Sequence, residues 1–363
     1  QNPRNKAAVR LSFERASIAP CCMRSAIGFF CLLGKKRFPV ILPEFYRSAK
    51  RFSYVFVLPV RFCYLYHNPV QPIMWHGTIT ALITPFRSDE SFDAGAFERL
   101  IEAQIAAGVE GIVACGTTGE SPTLTHGENI DIIERAVRIA AGRTNVIAGT
   151  GSNNTAEALF MTERAAAAGA DAALLVVPYY NKPTQAGLIA HYRAIAEAVP
   201  QLPLILYDVP GRTGIRLAPE TILELAQVPN IVALKDATGS LETLQAIIPK
   251  LPTGFTILAG DDNMTLPMMR QGATGVISVA SNLLPARIKA LVDAARAEDW
   301  PAAESLAAGL DELFGLCFLE ANPIPIKSLL ALRGVCELVF RLPLCPPSAE
   351  HQRRLEDYLA KLG

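Results

Sequence analysis

Lys235 closes the apolar run Ile231-Val232-Ala233-Leu234. Such a run predicts a β-strand buried on both faces, with the lysine at its C-terminal end. Burial favours a neutral amine over an ammonium, and a neutral amine can attack a carbonyl carbon to form an imine. A strand-end lysine can also extend its ammonium to water and take no part in chemistry. Its neighbours decide between the two.

Polar residues gather at the ends of the other apolar runs. Thr84-Pro85 follows the first, Gly116-Thr117-Thr118-Gly119-Glu120-Ser121 the second, and Pro178-Tyr179-Tyr180-Asn181-Lys182-Pro183 the fourth. Tyr207-Asp208-Val209-Pro210-Gly211-Arg212-Thr213-Gly214 closes the fifth, Lys235-Asp236-Ala237-Thr238-Gly239 the sixth, and Gly260-Asp261-Asp262 the seventh. Thr117 and Thr118 sit in a Gly-flanked turn whose amides and hydroxyls suit a carboxylate; an ordinary βα turn has the same composition. Tyr207 has the chemistry to carry a proton to or from a carbinolamine oxygen; an aromatic core layer would also use it. The Arg212 guanidinium suits a bidentate carboxylate clamp; alone, a loop arginine is more often solvated. Tyr179 and Tyr180 form an aromatic pair on a loop and suggest a contact surface. No Walker loop occurs, and none of the five histidines has metal-ligand spacing, so no metal site is expected.

These residues need a scaffold that brings strand ends together. Strand-like runs at 78–84, 111–115, 146–149, 172–177, 204–207, 231–235, 256–259 and 275–278 alternate with helical patterns. The helices are predicted at 97–107, 128–140, 156–168, 185–198, 219–226, 241–248, 264–271 and 285–297. Eight strands alternating with eight helices predict a (β/α)8 TIM barrel, whose catalytic groups sit at strand C-termini. A doubly wound open sheet is the alternative, disfavoured by the count and by the lack of a Gly-rich dinucleotide loop after the first strand. Helical patterns at 301–319, 326–332 and 348–362 predict a small C-terminal helical appendage. The expected organisation is therefore a segment 1–73, a catalytic barrel 74–298 and a helical region 299–363.

The first segment differs from the rest in charge. Residues 1–73 hold twelve Lys and Arg against two Asp and Glu, whereas the 363-residue chain is formally neutral. The remainder is thus acidic, which argues against general nucleic-acid binding. The segment has no sustained helical or strand period, and two readings stand for it. One is an organelle-targeting peptide, although its five serines are few; the other, favoured here, is that translation starts at Met74. No uninterrupted apolar run is long enough to predict a membrane-spanning helix. The eight cysteines form no CxxC pair, so a disulfide framework or zinc site is not expected and a reducing, cytoplasmic compartment is; an organelle is the alternative if residues 1–73 are a targeting peptide.

The motifs 116–121, 178–183, 207–214 and 234–239 together resemble the dihydrodipicolinate synthase family, also called 4-hydroxy-tetrahydrodipicolinate synthase. The resemblance runs from about Trp75 to the C-terminus. It implies a homotetrameric class I aldolase, a dimer of dimers, that condenses pyruvate with L-aspartate 4-semialdehyde in lysine and diaminopimelate biosynthesis. It implies no cofactor beyond a covalent pyruvate imine. Lys235 matches the Schiff-base lysine, and Tyr207, Thr118 and Tyr180 match the hydroxyl relay, with Tyr180 donated across a dimer interface. Thr117 matches the pyruvate carboxylate region, Arg212 the semialdehyde carboxylate, and Gly260 and Ile277 backbone positions lining the pyruvate pocket.

The resemblance also implies a lysine effector site in regulated members. The matching positions are 121–129, 151–153, Glu157 and Tyr179, with His126 and Asn153 among them. Asn129 stands where such enzymes often carry a second histidine, and Asp208 stands where the family usually has Asn. That acid is expected near Tyr207 and Arg212. The wider superfamily includes N-acetylneuraminate lyase and sugar-acid aldolases with the same lysine and tyrosine; Arg212 and Thr118 favour the synthase. A catalytically silent barrel would have lost the lysine or the relay, and neither is lost.

Overall fold

The structure is a computed structural model that describes residues 75–362. The basic segment expected at 1–73 lies outside the described residues.

Eight parallel strands close a barrel in sequence order. They are β1 (Gly77–Ala81), β2 (Gly111–Ala114), β3 (Asn145–Gly149), β4 (Ala172–Val176), β5 (Leu204–Asp208), β6 (Ile231–Asp236), β7 (Thr256–Ala259) and β8 (Gly275–Ser278). The helices are α1 (Ala94–Ala106), α2 (His126–Ala140), α3 (Thr155–Ala168), α4 (Gln185–Ala198), α5 (Pro210–Thr213), α6 (Pro219–Leu225), α7 (Leu241–Ile247), α8 (Thr265–Met269) and α9 (Pro285–Arg296). Beyond the barrel follow α10 (Trp300–Ala308), α11 (Asp311–Leu316), α12 (Ile324–Leu332) and α13 (Ala349–Leu362). Closure is made by β8 against β1, with Thr78 beside Val276 and Ile79 beside Ile277. The (β/α)8 barrel with C-terminal helices expected from the alternation is the observed fold. Among the described residues no helix is long and apolar enough to cross a membrane.

Strand parity sorts the core into two layers. Successive side chains on a strand point to opposite faces. Ile79, Val113, Ile147, Leu174, Ile205, Ala233, Leu258 and Ile277 fill the lumen. Their neighbours Ile112, Val146, Leu175, Leu206, Leu234, Ile257 and Val276 pack outward in the layer shared with the helices. The same alternation makes Tyr207 and Lys235 inward and Asp208 and Asp236 outward.

Helix ends carry the expected local chemistry. Thr125 caps α2 in a reciprocal capping box with Glu128. Asn154 caps α3, and Gly169 follows it in the left-handed conformation.

Two expectations change. The helix expected over 301–319 is two helices, parted at Gly309-Leu310. Arg287 Nη2 donates to the Gly309 carbonyl at 2.8 Å, and Leu310 turns into the core. The stretch 207–214, expected as a strand end followed by a loop, contains the single turn α5. Pro210 begins it and Gly214, at φ +75°, ends it, an arrangement that suits a proline at the first position and a glycine past the last.

Candidate active site

Lys235 and Tyr207 are register partners on β6 and β5. Both are buried and inward, and Lys235 Nζ lies 4.1 Å from the Tyr207 ring centroid. The amine thus stands at the lumen end of the barrel, next to a phenol. Among the described residues neither Nζ nor the Tyr207 hydroxyl has a hydrogen-bond partner.

Beyond β7, Gly260 N–H donates to the Asp236 carbonyl at 2.7 Å. A Cβ on Gly260 would stand 2.6 Å from the Ala237 Cβ, so only glycine allows this approach. Asp261 and Asp262 follow. Burial raises both carboxyls, and in each the Lys235 charge opposes that rise. Asp262 is buried and accepts from the Ser278 hydroxyl and from the amides of Val279 (2.9 Å) and Ala280 (3.0 Å). This fixes the end of β8 just past Ile277, which points into the lumen. Sequence reasoning named Gly260 and Ile277 but gave no role to Asp262.

After β2 the chain makes a tight turn in which Cys115 and Glu120 both have positive φ. Thr118 is buried there, and Thr117 is half-buried. The turn is held from the C-terminal region. Glu120 pairs with Lys327 of α12 at 2.6 Å, and both side chains are fully enclosed. Lys327 Nζ also lies 4.2 Å from the Phe86 ring centroid. Asn322 Nδ2 donates to Thr118 Oγ1 at 2.9 Å, and the Asn322 carbonyl accepts from Arg212 Nη2 at 3.1 Å. Asn322 therefore joins Thr118 to Arg212, two residues the sequence placed on different loops. Neither Asn322 nor Lys327 was singled out from sequence.

A cavity of about 430 Å³ opens beside this turn. Thr117, Arg212 and Thr213 line one part, and His126, Ser152, Glu157 and Tyr179 another. Lys235, Tyr207 and Asn153 are not in its lining. Glu157 accepts from Ser152 Oγ at 2.9 Å and meets His126 Nε2 at 2.7 Å; these partners, His126 foremost, hold its carboxyl below the usual range. Of the four residues expected at an effector site, three share this cavity. The fourth, Asn153, uses its carbonyl to accept from Asn181 at 2.8 Å. Tyr180 is 87% exposed, at φ +70°, and joins neither Tyr207 nor Thr118 within this chain.

Asp208 corrects an expectation. Its carboxyl does not approach Arg212. It faces outward, accepts from Leu217 N–H at 3.1 Å, and has Arg216 rather than Arg212 as its cationic neighbour. The other carboxyl oxygen is buried without a partner. Burial pushes this carboxyl from 3.8 up to about 7, and Asp236 on the adjacent strand adds to the rise. The folded chain thus holds a proton that the unfolded chain releases. Stability contributed by this proton is full below about pH 4 and is lost as pH climbs towards 7. Asp208→Asn is expected to remove the loss, worth roughly 1.4 kcal/mol per unit of pKa displacement. Thermal unfolding should show little difference from wild type at pH 4 and a gain of several degrees at pH 8. A gap independent of pH would show that Asp208 is already ionised in the folded chain.

A closed parallel barrel with a buried lysine and a phenol side by side at its lumen end fits the chemistry of a Schiff-base lyase of the class I aldolase type. Residues 74–362 match the Dihydrodipicolinate synthetase family, and the chain belongs to it. It is 47% identical over 289 residues to the 4-hydroxy-tetrahydrodipicolinate synthase of Aquifex aeolicus, which covers 79% of this chain and 98% of the relative. The chloride-inhibited dihydrodipicolinate synthase from Acinetobacter baumannii, solved complexed with pyruvate, is similar at 44% identity and TM-score 0.77, covering 78% of this chain and 98% of that one. The enzyme from Cyanidioschyzon merolae, solved with lysine bound, is similar at 41% identity and TM-score 0.76, covering 79% and 98%.

Proposed function

We propose that this chain condenses pyruvate with L-aspartate 4-semialdehyde to 4-hydroxy-tetrahydrodipicolinate, through an imine on Lys235. The observation that carries this reading is the buried Lys235 amine 4.1 Å from the Tyr207 ring. The amine adds to the pyruvate ketone to give a carbinolamine. Protonation of the carbinolamine oxygen lets water leave and the imine form. Loss of a methyl proton then gives an enamine whose carbon attacks the semialdehyde carbonyl; the amino group of the semialdehyde then displaces the Lys235 amine from the imine carbon, which closes the ring and frees the lysine. Tyr207 passes the protons through Thr118, and through Tyr180 supplied by a neighbouring subunit. Thr117 receives the pyruvate carboxylate, beside the backbone of Gly260 and Ile277, and Arg212 receives the semialdehyde carboxylate. The pyruvate complex of the Acinetobacter baumannii relative supports the first substrate. No cofactor beyond the imine is called for.

The assembly in this reading is a homotetramer, a dimer of dimers; the exposed Tyr179 and Tyr180 support an interface there. The reaction is placed in the cytoplasm. The test is borohydride reduction in the presence of pyruvate followed by peptide mapping. A single pyruvate adduct on Lys235 is expected, and an adduct on any other lysine would overturn the assignment.

Lysine is the proposed effector, at the part of the cavity holding His126, Glu157 and Tyr179, with Asn153 at its edge. The lysine-bound relative from Cyanidioschyzon merolae supports this. The effector ammonium would replace His126 as the partner of Glu157. Charge-assisted hydrogen bonds contribute about 1.5–3 kcal/mol, so Glu157→Ala should weaken lysine inhibition on the order of tenfold or more. Inhibition assayed at saturating pyruvate that is absent, or equal in wild type and Glu157→Ala, would remove the site.

A further inference from the structure

We propose that Asp208 and Asp236 share one proton, and that the bond it makes ties the end of β5 to the end of β6 and so positions Tyr207 against Lys235. The inference rests on the function proposed above, because the Tyr207–Lys235 pair is what the bond would hold. Asp208 is the register partner of Asp236, one step past Tyr207 with Lys235. Adjacent strands run ~4.8 Å apart, and register partners point to the same face. The two carboxyls therefore lie side by side in the layer between strands and helices, 1% and 2% exposed.

Each carboxyl uses one oxygen locally. Asp208 Oδ2 accepts from Leu217 N–H at 3.1 Å, and Asp236 Oδ1 from Thr238 N–H at 2.8 Å. The second oxygen of each, Asp208 Oδ1 and Asp236 Oδ2, is buried without a partner. Two ionised carboxylates can only accept, so nothing joins them; a single proton turns one into a donor and satisfies both orphaned oxygens at once. The ionisable groups facing the pair from neighbouring elements leave that role open. Arg216, whose charge both acids feel, directs Nη2 to Thr243 Oγ1 at 2.5 Å and forms no ion pair with either acid. Tyr192 of α4 faces Asp208 but gives its hydroxyl to the Leu175 carbonyl at 3.5 Å, and burial pushes that phenol up, so it stays neutral. Asp261, beyond β7, is a further acid near Asp236, and Lys235 points to the opposite face. Burial raises both carboxyls of the pair, and the Asp236 charge adds to the rise at Asp208. The proton thus resides on Asp208, which donates, and Asp236 keeps the charge.

The bond has a consequence for the lumen. Main-chain bonds continue past the pair: Ala237 N–H donates to the Asp208 carbonyl at 2.9 Å, and Gly260 N–H to the Asp236 carbonyl at 2.7 Å. Movement of Asp236 away from Asp208 would therefore carry Lys235 from Tyr207 and shift Gly260 with it. When the proton leaves, two like charges face each other in an apolar layer and push the strand ends apart. The tie holds while Asp208 is protonated and fails as pH climbs through about 7, the range to which that carboxyl is raised. An asparagine at 208 donates from Nδ2 at every pH and would make the tie permanent.

The experiment follows kcat between about pH 6 and about pH 8.5 for wild type, Asp208→Asn and Asp236→Asn, on the full chain. The ratio of wild type to Asp208→Asn cancels the pH dependence that Lys235 and Tyr207 bring to both. A misplacement of ~1 Å can cost ~10²-fold, and part of that is expected here, so the ratio should fall ~10-fold with its midpoint near 7. Asp236→Asn, whose amide donates to Asp208 in turn, should show no such step. A contact that served the fold alone would change unfolding temperature and leave the ratio flat. Infrared spectroscopy reads the proton itself. The carbonyl band of a protonated carboxyl that wild type loses through pH 7 should be missing from Asp208→Asn. A ratio that is flat or rises overturns the positioning role, as does a step retained in Asp236→Asn; a band that Asp208→Asn keeps in full overturns the shared proton. If Asp208→Asn does not fold, Asp236→Asn against wild type decides by the same ratio and the same band. Borohydride trapping of pyruvate on the wild type separates the layers. Without a Lys235 adduct the proposed function falls and the infrared band still decides the proton; with the adduct, a flat ratio removes only the positioning role.

Discussion

Lys235→Met is expected to abolish both the pyruvate adduct and turnover while leaving the barrel folded. Methionine fills nearly the same volume without an amine. The side chain points into a lumen where Ala233 on its own strand and Leu258 on β7 are apolar, so a thioether is at home there. Removing a buried polar group that has no hydrogen-bond partner among the described residues relieves desolvation, and unfolding temperature should hold or rise. Turnover has no such substitute. Covalent catalysis replaces one difficult step by two easier ones. With enzymes accelerating reactions by ~10⁶-fold or more, loss of the imine should take the rate down by at least ~10⁴-fold. The decisive comparison is with Lys327, the other buried lysine among the described residues. Its amine is 2.6 Å from the Glu120 carboxylate and lies between the rings of Phe86 and Phe340, with no open approach for a ketone. Burial lowers its pKa, but the carboxylate opposes that shift. An adduct that persists in Lys235→Met and maps to Lys327, or turnover above about a hundredth of wild type, would end the assignment of Lys235.

What separates these two lysines also marks what a sequence discloses. Lys235 was legible because strand-forming residues precede it and strand parity then points it inward. Tyr207 was legible for the same reason, one strand away. Thr117, Thr118 and Arg212 lie within a few residues of strand ends, and the barrel gathers strand ends by its topology. Lys327 and Asn322 obey no such rule. They belong to a helical stretch whose docking depends on long-range packing, and their partners are more than 200 positions away. The buried Glu120 offered the nearest hint, since a carboxylate in a tight turn under a barrel helix calls for a cation. No local pattern says which lysine supplies it.

Asp208 fails differently. Proximity in sequence to Tyr207 suggested proximity in space, but adjacent residues on a strand face opposite ways. The alternation that correctly aims Tyr207 at the lumen sends Asp208 to the helices. The turn α5 was written in Pro210 and Gly214 and was passed over because a single helical turn has no period to detect.

Tyr207→Phe is the second substitution with a large expected effect, and it separates two roles that the wild type combines. The ring of Tyr207 lies against Lys235 and fills a lumen position; the hydroxyl is the proton carrier. Phenylalanine keeps the first role, because a cation or amine stacks on either ring. The substitution removes only an oxygen from a buried side chain with no hydrogen-bond partner among the described residues, so stability should change little or rise slightly. Pyruvate should still reach Lys235, and the adduct trapped by borohydride after long incubation should approach the wild-type amount. The rate at which it appears should not. Loss of water from the carbinolamine and loss of the methyl proton both need a positioned acid or base, and such a group contributes ~10²–10⁴-fold. Initial rates of trapping and kcat should therefore fall together by ~10²-fold or more. Rapid-quench trapping against time, beside steady-state turnover, measures both. If Tyr207 is only an aromatic layer of the core, neither rate moves; an unchanged kcat would assign the proton transfers to another group, and the half-buried Asp261, whose carboxyl feels the Lys235 charge, would be the first to test.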